Sequence, residues 1–348
     1  MAKTGDRSRR VLALIWLLVG AAMVGVPIWL GWTRWQPILV GHPLVLGLSI
    51  LCGLMGFVAL AWAVASLVLG DRSDDDTTGP QAERSRAARA NRRVALAVPA
   101  LFFCVLLVLA LVWSRPLPAS EVAVAAMRSE NDVRVSDRLT WYEMVSTKRN
   151  KADEVIRPTT GLVFVPGGRV DPRAYARILR PLAEAGYLVT VLKEPFGTSI
   201  VDADHPERVI AAHPEIARWV LAGHSLGGVT AAAFADDHPV VGGAPVAGLV
   251  LWASYPAGGM KRTDLRVTSV SADLDGVTTP AEIEEAKDEL PPDTTYVVLP
   301  GAVHSFFGDY GRQPDDGTPT ADRDATQAEI TKATRAVLAA VTPKPKKK

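Results

Sequence analysis

The chain has 348 residues and a formal net charge of +1 at pH 7, and its only cysteines, Cys52 and Cys104, lie in long apolar runs. Residues 118–348 contain 26 Lys and Arg against 31 Asp and Glu and no cysteine. This composition disfavours nucleic-acid binding and excludes a disulfide framework or a cysteine metal site there. Residues 1–117 contain 12 basic against 6 acidic residues and six of the nine tryptophans. So uneven a distribution predicts two regions in different solvents, a membrane region over 1–117 and a globular domain over 118–348.

The first region is dominated by three apolar runs, at about 11–33, 43–69 and 94–113, none of which contains Asp, Glu, Lys or Arg. Each is long enough to cross a hydrocarbon core of about 30 Å at about 1.5 Å per residue. We therefore predict three transmembrane helices. The segment between the second and third, from Asp71 to Arg93, is rich in Asp, Arg, Gly, Ser and Thr and is expected to be a flexible loop.

The basic residues predict how these helices are oriented. Four of them precede the first span and six arginines lie in the 71–93 segment, so the positive-inside rule places the N-terminus and that segment in the cytoplasm. Three crossings of the cytoplasmic membrane then leave the globular domain and the basic tail 344–348 outside. If the first run were instead a cleaved signal peptide, the domain would return to the cytoplasm; its length and the arginines of 71–93 disfavour that alternative.

In the second region short apolar runs alternate with helical stretches after two early strands, which predicts a mostly parallel α/β sheet. The expected strands are 133–135, 140–145, 161–165, 187–192, 217–222, 247–252, 265–271 and 295–299, and the expected helices are 172–185, 205–213, 229–235, 280–289 and 326–341.

One turn in this pattern has the composition of a nucleophile elbow. Gly223-His224-Ser225-Leu226-Gly227, followed by Gly228, stands between an apolar strand and a helix of small residues. Glycines allow the strained turn and the close approach of helix to strand, and they hold the serine at the end of the strand. A tight turn with an idle serine is the alternative, since a short motif also arises by chance.

Chain order supplies the partners that a serine nucleophile needs. His304 is the only histidine after His238, and it follows the last predicted strand, where a catalytic base is expected in this order of elements. The acid should follow an earlier strand, and Asp275, which precedes a glycine, is the first choice; Asp273 remains the alternative. A carboxylate there would set the tautomer of the histidine.

An oxyanion hole requires backbone N–H groups beside the serine. Leu226, which follows Ser225, should supply one, and the turn Pro166-Gly167-Gly168-Arg169 after the third strand should supply the other from Gly168 or Arg169.

These motifs resemble those of the α/β-hydrolase superfamily, and in particular a bacterial group related to dienelactone hydrolases. The resemblance covers about 118–342 and leaves out the membrane region. It rests on the segments 165–172, 223–228, 251–256, 275–276 and 304–313. It implies the α/β-hydrolase fold and a triad of Ser225, Asp275 and His304.

Only 12 residues, 253–264, separate two predicted strands at the place where larger relatives insert a helical cap, so a cap-less domain with a shallow pocket is expected. The segments 194–213 and 305–318 should form its walls. Phe196, Phe306, Phe307 and Tyr310 are candidates for apolar contact with a substrate, with plain packing as the alternative.

The sequence thus predicts a membrane-anchored serine hydrolase that cleaves an ester, thioester or amide of a small or lipid-like acyl substrate. Such chemistry needs no metal and no organic cofactor. Two alternatives remain: an acyltransferase that uses the same residues, and a non-catalytic hydrolase-like module for binding or assembly in a membrane protein.

Overall fold

The computed structural model describes residues 2–68, 80–130 and 132–343. The chain divides into two compact units, one formed by Met1–Leu39 with Leu44–Arg115 and the other by Val40–Pro43 with Pro116–Lys348.

The first unit consists of three long helices, α1 (Ala2–Val40), α2 (Pro43–Val68) and α3 (Pro80–Trp113). Stretches of all three, namely Arg9–Val40, Pro43–Val68 and Val94–Trp113, are long and apolar enough to cross a membrane. Helix α1 is interrupted by non-helical backbone at Arg34. Helices α1 and α2 approach closely at a glycine, since a Cβ on Gly56 would lie 2.8 Å from the Met23 Cβ and 2.9 Å from the Gly20 carbonyl oxygen.

The expected flexible loop over 71–93 is wrong for its second half, because residues 80–93 are the first turns of α3. This stretch contains five Arg and four Ala, which are strong helix formers, and proline is well suited to the first turn of a helix. Residues 71–79 and the basic tail 344–348 lie outside the described residues.

The second unit is built on one mixed sheet. Its strands are β1 Val133–Asp137, β2 Trp141–Ser146, β3 Thr160–Val165, β4 Leu188–Leu192, β5 Arg218–His224, β6 Val240–Val241, β7 Ala244–Trp252, β8 Arg266–Ala272 and β9 Thr295–Leu299. The strand order is β1-β2-β4-β3-β5-β7-β8-β9, and β6 pairs with β7. Strands β4, β3, β5, β7, β8 and β9 run parallel, while β1, β2 and β6 pair antiparallel.

Helices cover both faces of this sheet. They are α4 Glu121–Ala125, α5 Ala176–Glu184, α6 His205–Ala211, α7 Leu226–Asp237, α8 Pro280–Glu285 and α9 Arg323–Val341, with short 3₁₀ turns at Pro172–Tyr175, Pro195–Gly197, Ser199–Asp202, Ala286–Glu289 and His304–Phe307. Alternate residues of β3 enter two separate cores: Leu162 and Phe164 pack with α5 and α9, and Val163 and Val165 pack with α6 and α7. A strand buried on both faces in this way is typical of a parallel α/β sheet.

The predicted α/β architecture is confirmed, with α4 and β6 as short additions that the hydrophobic pattern did not predict. No helix lies in the residues between β7 and β8, which agrees with a domain lacking a large cap. The loops that follow β3, β5, β8 and β9 leave from the same edge of the sheet, because carboxyl ends of parallel strands meet there. This edge carries the candidate site residues.

Candidate active site

Ser225 occupies a strained turn between β5 and α7. Its backbone has φ 52° and ψ −126°, a left-handed conformation that is unusual for a residue with a Cβ. Side chains at Gly223 and Gly227 are excluded by space, because a Cβ on the first would collide with the backbone of α7 and a Cβ on the second with the Val165 carbonyl. The glycines thus let strand and helix approach closely enough to hold the half-buried serine at the edge of the sheet.

Asp275 and His304 form a buried pair. The Asp275 Oδ2 lies 2.8 Å from the His304 Nδ1, and neither side chain is exposed to solvent. The other carboxylate oxygen accepts the backbone N–H groups of Val277 and Thr278 at 2.8 and 2.7 Å. These bonds fix the orientation of the carboxylate, and the carboxylate in turn orients the imidazole.

Asp273 has a different partner. Its Oδ1 accepts the N–H of Gly301 at 2.6 Å, and the residue is exposed. Of the two aspartates that the sequence leaves open, the structure therefore brings Asp275 to His304 and directs Asp273 to the turn after β9.

The imidazole ring of His304 lies near the serine turn. The imidazole centroids of His304 and His224, the residue before Ser225, are 4.5 Å apart. Within the described part of the chain, the buried Nε2 of His304 has no hydrogen-bond partner. A nitrogen in this state can accept a proton from a neighbouring hydroxyl.

The loop that bears His304 is held by Asp316, which the sequence analysis did not single out. Its carboxylate accepts the N–H groups of His304 and Ser305 at 2.9 and 2.8 Å and that of Gly317 at 2.9 Å. Gly317 also packs tightly against the loop that bears Asp275, because a Cβ on Gly317 would collide with the Leu274 carbonyl. An aspartate followed by glycine was the available sequence signal, but only the fold shows what it binds.

The three candidate oxyanion donors differ in whether their N–H groups already have a hydrogen-bond acceptor. The N–H of Arg169 donates to the Gly197 carbonyl at 2.6 Å, so it is engaged elsewhere. The N–H of Gly168 has no hydrogen-bond partner among residues 132–343, and that of Leu226 begins α7, where an N–H has no intrahelical acceptor. A Cβ on Gly168 would lie 3.5 Å from the Leu226 Cδ2, so these two residues are neighbours beside Ser225.

The segments expected to form the pocket walls differ in character. Phe306, Phe307 and Tyr310 are buried members of the hydrophobic core, whereas Phe196 is half-buried and has a positive φ of 53°. For the first three the structure therefore favours packing over substrate contact. The 194–213 segment meets the turn at 166–169 through the hydrogen bond between Gly197 and Arg169.

The 194–213 segment also contains a buried pair, Glu194 and His205, whose Oε2 and Nδ1 are 3.5 Å apart. Burial raises the pKa of Glu194, and the neighbouring His205 partly offsets that rise. In the described residues, no group of three or more His, Cys, Asp or Glu side chains has the arrangement of a metal site.

A protein-family model, described as "Alpha/beta hydrolase family", matches residues 161–328 of the chain. These residues include every candidate site residue. The domain is a member of the α/β-hydrolase superfamily. Its mixed, mostly parallel sheet and flanking helices are those of the α/β-hydrolase fold.

Solved structures similar to this α/β hydrolase include a candidate dienelactone hydrolase from Klebsiella pneumoniae subsp. pneumoniae, at 17% identity and a TM-score of 0.42 over 57% of this chain and 92% of that one. A thermophilic esterase from Thermogutta terrifontis matches at 16% identity and a TM-score of 0.41, over 64% and 96%. An alpha-beta serine hydrolase homologue from Coxiella burnetii matches at 16% identity and a TM-score of 0.39, over 61% and 98%. No curated protein matches the chain in sequence.

Proposed function

We propose that the protein is a membrane-anchored serine hydrolase that cleaves a small or lipid-like acyl ester, thioester or amide. The observation that carries the proposal is the fully buried Asp275–His304 pair, whose imidazole lies beside the strained serine turn of an α/β hydrolase. An aspartate, a histidine and a serine in this relation can activate the serine hydroxyl.

In the first half of the reaction the Ser225 Oγ attacks the acyl carbonyl carbon while the His304 Nε2 takes the hydroxyl proton. The negative charge that develops on the carbonyl oxygen is stabilised by the N–H groups of Leu226 and Gly168. His304 then gives its proton to the leaving alcohol, thiol or amine, and the acyl group stays on Ser225. Asp275 accepts the Nδ1–H and stabilises the imidazolium throughout.

In the second half a water molecule attacks the acyl-enzyme, with His304 as the base that takes its proton. Collapse of the second tetrahedral intermediate releases the acid and returns the proton to Ser225. An alcohol in place of water would give acyl transfer instead. Neither half-reaction requires a metal ion or an organic cofactor.

The orientation proposed for the domain follows from the positive-inside rule. Three helices suited to crossing a membrane and an arginine-rich segment before the third would put residues 118–348 on the outer side of the cytoplasmic membrane. Ser225 would then act on a substrate outside the cytoplasm.

The proposal is tested with full-length protein in detergent and a fluorophosphonate probe, which phosphonylates an activated serine. Wild type should be labelled and Ser225→Ala should not. Asp275→Asn should slow labelling by about 10⁴-fold, as expected when the imidazole tautomer is lost, whereas its matched control Asp273→Asn should stay near the wild-type rate. Folded wild-type protein that resists the probe would contradict the proposal and favour a non-catalytic module.

A further inference from the structure

His224 is a buried titratable residue that the proposed mechanism does not use. It is the last residue of β5, its side chain is inaccessible to solvent, and it lies immediately before Ser225. Its ring is 4.5 Å from that of His304 and stacks on Phe307 with a centroid distance of 5.6 Å. An imidazole at such a position needs a reason, because burying a polar group without partners costs free energy.

A short chain of hydrogen bonds joins this histidine to the turn at 166–169, which carries the candidate oxyanion donor Gly168. The N–H of Gly167 donates to the Tyr175 hydroxyl oxygen at 2.9 Å, and that hydroxyl lies 2.9 Å from the His224 Nδ1. A tyrosine hydroxyl has one proton. With its oxygen accepting from Gly167, the hydroxyl can donate a hydrogen bond to Nδ1 in the tautomer of His224 that carries its ring proton on Nε2.

The protonation state of His224 allows this direction. Burial and the charge of His304 lower the pKa of His224 well below its ordinary value, and contact with the His304 backbone partly offsets the effect. The imidazole therefore stays neutral near pH 7 and can accept a hydrogen bond from the tyrosine hydroxyl.

The three groups are packed so closely that only glycine fits at position 167. A Cβ there would lie 2.7 Å from the His224 Nδ1 and 3.2 Å from the Tyr175 hydroxyl. The next residue, Gly168, lies beside Leu226, and its N–H has no hydrogen-bond partner within residues 132–343. Fixing the Gly167 amide therefore limits how far the N–H of Gly168 can move relative to Ser225.

We propose that Tyr175 and His224 are positioning residues for the oxyanion hole. Through the Gly167 amide they hold the loop after β3 against the serine turn, so that the N–H of Gly168 is oriented before the substrate arrives. The inference rests on the proposed function and adds to it two residues that touch no reacting atom. Electrostatic stabilisation of an oxyanion depends on such preorganisation.

The same arrangement predicts a specific kinetic defect. Removing the Tyr175 hydroxyl leaves the buried Gly167 amide without an acceptor but leaves Ser225, Asp275 and His304 in place. The rate of serine phosphonylation, which also puts negative oxygen density in the oxyanion hole, should fall by about tenfold. Its pH profile should keep the wild-type midpoint, because the base that takes the proton is unchanged.

The test compares Tyr175→Phe with Tyr142→Phe in full-length protein, using second-order rates of fluorophosphonate labelling between pH 6 and 9. Tyr142 is a matched control, since it is equally buried and its hydroxyl donates to the Pro172 carbonyl at 3.1 Å, outside the site. We expect the control to react at the wild-type rate. Equal rates for Tyr175→Phe and wild type would overturn the inference and leave the proposed function intact.

A second pair of variants keeps the inference testable if Tyr175→Phe does not fold. Asparagine at position 224 places an amide oxygen near the place of Nδ1, whereas leucine offers no acceptor. His224→Asn should therefore label several-fold faster than His224→Leu, and identical rates in the two folded variants would contradict a positioning role. Absence of labelling in folded wild type overturns the proposed function itself, and this inference with it.

Discussion

The carboxylate of Asp316 accepts three backbone N–H groups, from His304, Ser305 and Gly317, at distances between 2.8 and 2.9 Å. The side chain is nearly inaccessible to solvent. A single carboxylate thus holds the backbone N–H groups of His304 and of the residue that follows it. In the proposed mechanism, such a group acts through the position of His304.

We predict that Asp316→Ala both destabilises the protein and slows fluorophosphonate labelling by tenfold or more. Each buried N–H left without an acceptor costs about 1–3 kcal/mol, and displacement of the imidazole lowers its reactivity as a base. Thermal denaturation and labelling rates of the full-length protein measure the two effects.

The control is Asp322→Ala, which removes an exposed carboxylate that caps α9 through the N–H of Ala325 at 2.8 Å. Loss of a helix cap costs about 1 kcal/mol and should leave the labelling rate unchanged. Wild-type labelling by folded Asp316→Ala would show that His304 does not depend on this carboxylate.

At the scale of elements, strand β2 is tied to the turn after α6 by an ion pair in which the Glu143 Oε2 and the His213 Nε2 are 3.2 Å apart. Burial by itself raises the pKa of Glu143, but contacts with His213, Arg138 and Trp141 more than offset this and lower it to about 2. Contact with Glu143 raises the pKa of His213 above its ordinary value, although partial burial opposes the rise.

The signs of these shifts define two pH windows. Because the pKa of His213 is raised in the folded protein, its charge stabilises the fold fully below about pH 6.5. That contribution is lost as the pH rises through the folded-state pKa. Because the pKa of Glu143 is lowered, its carboxylate stabilises the fold fully above about pH 4.5. That contribution is lost as the pH falls towards 2. The pair therefore contributes most between about pH 4.5 and 6.5.

We predict that the denaturation temperature of Glu143→Gln changes less than that of wild type between pH 6 and pH 8.5, because the variant has lost the charge that raises the pKa of His213. Thermal denaturation of the full-length protein at several pH values tests this. Glu215→Gln is the comparison, since Glu215 also contacts His213, at 3.1 Å, but is half-exposed and should matter less. Parallel pH curves for Glu143→Gln and wild type would contradict the prediction.

Most elements of residues 132–343 are predictable from sequence. Strands buried on both faces appear as short apolar runs, whereas the helices between them mix apolar and polar residues. The error over 80–93 has a local cause: a charged, alanine-rich stretch has a high helix propensity despite having no apolar face. Segments as short as β6 and α4 have too few residues to show a period.

At the scale of the whole molecule, the chain combines three helices suited to crossing a membrane with an α/β-hydrolase domain. Its only two cysteines are buried within the second and third of these helices. A cysteine introduced on the surface of the domain would therefore report on which side of the membrane the domain lies.

We predict that Asp293→Cys, at an exposed site between α8 and β9, is labelled by a membrane-impermeant maleimide in intact spheroplasts of a bacterial host. The proposed orientation puts this residue outside the cytoplasm. Wild type serves as the control and should show no labelling. Labelling of the variant only after the membrane is permeabilised would place the domain in the cytoplasm and overturn the orientation.

The sequence by itself determined that three helices are long and apolar enough to cross a membrane, the α/β class of the domain and the places of Ser225 and His304 in the chain, because all of these depend on local hydrophobic pattern and order. Only the tertiary structure decided that Asp275 and not Asp273 contacts His304. It also decided that the N–H of Arg169 donates a hydrogen bond to the Gly197 carbonyl. The contacts of Asp316 and of the Tyr175–His224 pair are likewise tertiary. They join loops from different strands, and such pairing depends on where the sheet brings the loops together, which local spacing does not encode.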